Sequence, residues 1–124
     1  MPLSTKRWCD PRAPDDGVRI LVCRFRPRGL PKAKETWDVW MKELGPSPGL
    51  LAAFHGKGDG PLTLDTYAER YRAEMAAQRE AIAALAARLD RGEHLTLLCS
   101  RDCILPQACH RTLLARLITA ARAH

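Results

Sequence analysis

The sequence contains no apolar run near the roughly 18–20 residues needed to cross a bilayer, so no membrane span is expected. The opening stretch MPLSTKRWCD has no apolar signal-peptide core, and the expected location is the cytoplasm. In that reducing setting disulfides are disfavoured, and five cysteines cannot complete a set of pairs. The thiols are therefore expected to be packed, metal-bound or reactive. No internal repeat or low-complexity segment occurs. Neither paired carboxylates nor a serine triad stands out, so those hydrolytic machineries have no visible parts.

What is present is the composition of one soluble domain. At 124 residues the chain can bury a single modest core, and 46% apolar with 27% charged residues is ordinary for that class. The net charge of +6 favours anionic partners: a small anionic ligand, a nucleotide or a nucleic acid. The basic residues are scattered along the chain, so no binding face is marked. Oligomeric state is not legible.

Leu3 to Cys9 reads as a short strand of open direction, because its link to the next strand looks too short for a helical crossover. Val18 to Cys23 (VRILVC) and His94 to Cys99 are the convincing strands, apolar enough for burial on both faces. Trp37, Trp40, Met41 and Leu44 fall on one helical face, with Gly45 and Pro46 as the expected stop. Pro48 to Phe54 suggests one or two further helical turns. HGKGDGP, from His55 to Pro61, lacks the spacing of a phosphate cradle and reads as a linker. Thr66-Tyr67-Ala68-Glu69 fits a capping box, opening a long helix whose stripe is Tyr67, Tyr71, Met75, Gln78, Ile82, Leu85 and Leu89. Gly92 supplies its left-handed stop. Leu113, Leu114, Leu117, Ile118 and Ala121 mark a last helix. Buried strands separated by helical crossovers predict a single α/β domain with a small, mainly parallel sheet flanked by helices.

In such sheets ligands collect beyond the carboxyl ends of the strands. Parallel strands would bring Cys23 and Cys99 to one edge as pocket residues, facing both the basic loop after the first and the cysteine loop after the second. Arg24, Arg28 and Arg111 are the candidate anion-binding residues there, helped by a helix N-terminus near Cys109. Arginine in a helix's first turn opposes the dipole, and an anion or a carboxylate such as Asp102 would explain it.

Two other chemistries compete. Cys99, Cys103, Cys109 and His110 are soft donors, with Cys23 as a further one, but their spacing is not that of a zinc finger or ribbon. No metal or other cofactor is therefore expected, with zinc the one open alternative. The third is thiolate catalysis, with Cys109 and Cys103 as nucleophile candidates and His110 as base. The loop fails the Cys-x5-Arg count of rhodaneses and tyrosine phosphatases. Beside all three stands packing, with Cys99 and Cys109 as small buried hydrophobes. Asp10 and Asp38 show no partner, and Trp8 reads as a packing residue.

Two separated motifs carry a resemblance. Arg24, Pro27, Arg28 and Gly29 match an Asp-Arg-x-x-Pro-Arg-Gly run, and Cys99, Cys109, His110 and Arg111 fill a Leu-Leu-Cys…Cys-His-Arg signature. Over about Lys6 to Ile118 the chain resembles the bacterial family called domain of unknown function 488, and in its N-terminal half the YeaO-like branch. The departure is Cys23, where that pattern has aspartate. The resemblance implies a compact α/β fold with its signature residues in a pocket. It implies no particular reaction.

Overall fold

A computed structural model describes residues 3–26, 29–50, 63–99 and 110–122. The sheet is built from β1 (Leu3–Arg7), β2 (Val18–Leu21), β3 (Val39–Trp40) and β4 (Leu95–Cys99). The helices are α1 (Leu64–Met75), α2 (Arg79–Asp90) and α3 (His110–Ala121). All strand pairs are parallel and the order is β1-β4-β2-β3, so the fold is α/β. Every residue of β4 is buried, as expected for a central parallel strand covered on both faces. Among the described residues no helix is long and apolar enough to cross a membrane.

Side chains alternate between two differently filled faces. Ile20, Val22, Leu95 and Leu97 pack with Tyr67, Tyr71, Met75, Ile82, Leu85, Leu89, Leu114 and Ile118 in one apolar core. Each aliphatic side chain fully buried there contributes about 1.5–3 kcal/mol relative to exposure. The opposite positions, Arg19, Leu21, Thr96 and Leu98, are equally buried, yet two of them are polar. Their partners come from the link between β1 and β2, which carries no helix. Thr96 donates to the Asp16 carbonyl at 2.8 Å, and Arg19 donates to the Asp10 carbonyl at 2.8 Å and to Asp16 Oδ2 at 3.3 Å. Residues 8–17 therefore cross the sheet as irregular chain. This makes β1 parallel, with β4 inserted between it and β2. Gly17 ends the crossing at φ +64°, where a Cβ would lie 1.9 Å from the His94 carbonyl oxygen.

Three expectations need correction. Trp37 to Leu44 is not a helix. Asp38 N–H donates to the Arg19 carbonyl and Met41 N–H to the Leu21 carbonyl, so pairing with β2 draws this segment into an edge strand. A 3-10 turn, Lys42–Leu44, follows, and Val39 and Trp40 stay exposed. The long helix is capped by Thr63, whose side chain accepts from Thr66 N–H at 3.1 Å, one turn before the capping box. It is also interrupted by a 3-10 turn at Ala76–Gln78. Asp10 and Asp38 are not solitary: Asp10 pairs with Arg7, and Asp38 with Arg12 and the Arg19 amide.

The stripe and its stop hold. Tyr67, Tyr71, Met75, Ile82, Leu85 and Leu89 are all buried. At Gly92, φ +91°, the Gly92 N–H bonds to Leu89 and the Glu93 N–H to Arg88, the pattern of a Schellman cap. A helical turn is present at 48–50; the rest of the expected turns there, and the His55 to Pro61 linker, lie outside the described residues.

Asp16 is the centre of the polar face. Burial pushes its carboxyl upward, but hydrogen bonds from Lys6 and the Ala13 amide, with the charges of Lys6 and Arg19, outweigh that and hold it low. Asp10, held down first by the Arg7 amide, and Asp38, by the Arg19 amide and Arg12 against desolvation, are also low. Groups depressed in the folded state stabilise it fully above their unfolded pKa, about 3.9, and lose that contribution as pH falls through the lower folded value. Stability in urea should therefore be flat near neutrality and fall below about pH 4. Asp16→Ala should lower it by about 3 kcal/mol or more at pH 7, because Arg19 is left as a buried charge. A variant as stable as the parent would show that Asp16 does not hold this face.

Candidate functional site

Because β2 and β4 are parallel neighbours, with Leu21 opposite Leu98, the residues beyond them emerge on one edge. Cys23 follows β2, Cys99 ends β4 and His110 opens α3. The two sulfurs and a His110 ring nitrogen all lie within 4.8 Å of one another. Cys99 and His110 are buried and Cys23 is half-buried. Neither cysteine is in a disulfide.

The cluster is held from several directions. His110 Nε2 lies 2.8 Å from the Val22 carbonyl oxygen, which can only accept, so Nε2 carries the hydrogen and the neutral ring has its lone pair on Nδ1. The Tyr71 ring packs against the imidazole, centroids 5.7 Å apart, while its hydroxyl donates to the Leu44 carbonyl at 2.7 Å. The carbonyls of the two cysteines are also tied: Cys99 accepts from Trp8 N–H at 2.9 Å and Cys23 from Trp40 Nε1 at 2.8 Å. Gly45 lies against the backbone of residues 23 and 24. A Cβ on it would be 2.4 Å from the Arg24 nitrogen and 2.9 Å from the Cys23 carbonyl carbon.

Arg24 donates from Nε to the Pro46 carbonyl at 3.2 Å and from NH2 to the Gly45 carbonyl at 3.0 Å. Its fork fastens the two loops, while its charge stays at the rim. Arg26 is drawn away to Glu35, at 2.6 Å, and to the face of Trp37. Arg111 is buried next to His110, and its charge is one of the influences holding the Asp10 carboxyl low. Arg28, Cys103 and Cys109 lie outside the described residues.

The structure thus brings together Cys23, Cys99 and His110, with Arg24 and Arg111 as their chain neighbours. The sequence reading missed Gly45 and Tyr71 as supports. Gly45 was legible only as a helix stop, and Tyr71 only as one more core residue in a stripe.

A family model described as the active DUF488-N3 subclade matches residues 3–122. The chain belongs to the DUF488 family. Its relatives include the uncharacterized protein YeaO of Escherichia coli K12, 41% identical over 100 residues, which cover 81% of this chain and 84% of that one. The uncharacterized protein Rv3073c of Mycobacterium tuberculosis is 37% identical over 62 residues, half of each chain. An equally similar protein, Mb3100c, occurs in Mycobacterium bovis. No solved structure matches. The resemblance seen in the two motifs is thus a family membership. The signature residues Cys99, His110 and Arg111 of this DUF488 chain stand at the carboxyl rim of the sheet.

Gly45→Ala should shift the Cys23–Arg24 backbone and cost about 1–3 kcal/mol, the range for overpacking a filled site. Gly49→Ala, with open space around it, should change stability by less than about 0.5 kcal/mol. Urea unfolding of the pair checks this. Equal stability of the two variants would mean that Gly45 is not a point of close approach.

Proposed function

We infer that this DUF488 protein holds a small phosphate-type anion at the carboxyl ends of β2 and β4. The observation that carries the reading is Arg111. It is a permanent cation, 5% exposed, in the opening turn of α3, where the backbone dipole is also positive. Two positive sources converge beside the strand ends, the place where open parallel sheets collect ligands. Arg24 adds a third charge. Among the described residues it bonds carbonyls and pairs with no carboxylate.

Charge pairing favours a small ligand over a nucleic-acid duplex. Arg7, Arg12, Arg26, Arg88 and Arg122 each face a carboxylate within 3.4 Å. That neutralises much of what would otherwise be a broad basic surface, and a duplex is gripped by many unpaired cations at once.

Thermal unfolding tests the reading, in low salt with a chelator present and with phosphate, pyrophosphate, nucleotides and short oligonucleotides as ligands. A specific anion at 100 times its Kd should add about 2.7 kcal/mol, or roughly 10 °C in Tm for a chain of this size. Arg111→Gln should flatten that response relative to its own baseline, and Arg24→Gln should reduce it. If no anion raises the parent's Tm at millimolar concentration, the reading fails.

A further inference from the structure

We propose that Cys23, Cys99 and His110 form a zinc site. Two thiols and an imidazole within 4.8 Å make a soft, nitrogen- and sulfur-only donor set. That set suits zinc, whereas calcium and magnesium require oxygen donors. Ideal zinc bonds put such donors about 3.5–3.8 Å apart, so closure asks for movements of about an ångström at most from the 4.8 Å limit.

Several features match what a zinc site needs beyond its donors. The Val22 carbonyl fixes the His110 ring through Nε2, the kind of outer partner that orients a ligating imidazole and leaves the other nitrogen its lone pair. Charge balances as well. Binding releases one proton from each thiol, and two thiolates with one imidazole then neutralise the dication in a low-dielectric setting. The burial pattern favours ligands over a nucleophile. Cys99 is 3% exposed, which suits a metal donor and hinders attack on a substrate. Among the described residues the site has three protein ligands, the number that leaves a tetrahedral zinc a fourth position for water or a bound ligand. Only in that fourth position does the proposal lean on the anion reading, since an anion held by Arg111 would be its natural occupant.

The experiment is metal titration of the full chain in phosphate-free buffer under reducing conditions. Zinc is followed against a chromophoric chelator, and cobalt(II) is used as the spectroscopic substitute. One equivalent should bind, and cobalt should show a thiolate charge-transfer band with the intense visible bands of a tetrahedral centre. Cys23→Ser, Cys99→Ser and His110→Gln should each lower zinc affinity by more than about 100-fold, beyond what outer-shell changes cause. Cys9→Ser should leave it unchanged, because Cys9 is not part of the cluster. Cys23 is half-buried, so its variant remains informative if the other two fail to fold. Cobalt bound without a thiolate band, zinc affinity unaffected by Cys23→Ser, or full alkylation of the thiols despite equimolar zinc would each overturn the proposal. A phosphate-dependent Tm rise that survives chelation would then show the anion reading standing without the metal. Zinc binding with no anion response would show the reverse.

Discussion

The parallel ladder between β2 and β4 is the constraint on which everything else rests. Ile20 opposite Leu97 and Leu21 opposite Leu98 fix both the direction and the register of the two strands. A slip of one residue would turn the apolar set of β2 away from the helices and bring Arg19 into their core. It would also separate the thiols that now share a rim. Position, register and chemistry are thus set by one row of backbone hydrogen bonds, closed by Val22 N–H on the Leu98 carbonyl.

The two faces of that ladder are held by different physics. One face is a conventional aliphatic core with two tyrosines. The other is closed by charge, with Asp16 between Lys6 and Arg19 at 2.7 and 3.3 Å. Among the described residues Arg19 Nε has no hydrogen-bond partner, so the guanidinium is desolvated without full compensation. Such a cluster adds little net stability over apolar packing but punishes any rearrangement that breaks it. It gives the helix-free crossing one defined path.

The sequence made the buried strands, the tyrosine stripe and the Gly92 stop legible, because each is a local pattern with a single physical reading. It also placed Cys23 and Cys99 at one edge, since parallel direction alone requires that. What it hid were features decided by pairing at a distance. Trp37, Trp40, Met41 and Leu44 have helical spacing, yet the free edge of β2 offered a ladder, and the segment took that instead. The Asp16 carbonyl accepts from the Thr96 hydroxyl, a partner 80 residues away that no local pattern announces. Gly45 followed the same rule: its function comes from residues 23 and 24, which no window around Gly45 contains.

The strand order has a consequence for how the molecule comes into being. β1 and β2 do not touch each other as strands; both pair with β4, which begins at residue 95. Until that segment leaves the ribosome, the nascent chain has only the two-residue ladder of β2 and β3 to build on. Assembly of the sheet is therefore a late, long-range event of the kind that folds slowly and exposes apolar strands while it waits. Throughout that interval Cys23 lacks its two companions, which arrive only with residues 99 and 110.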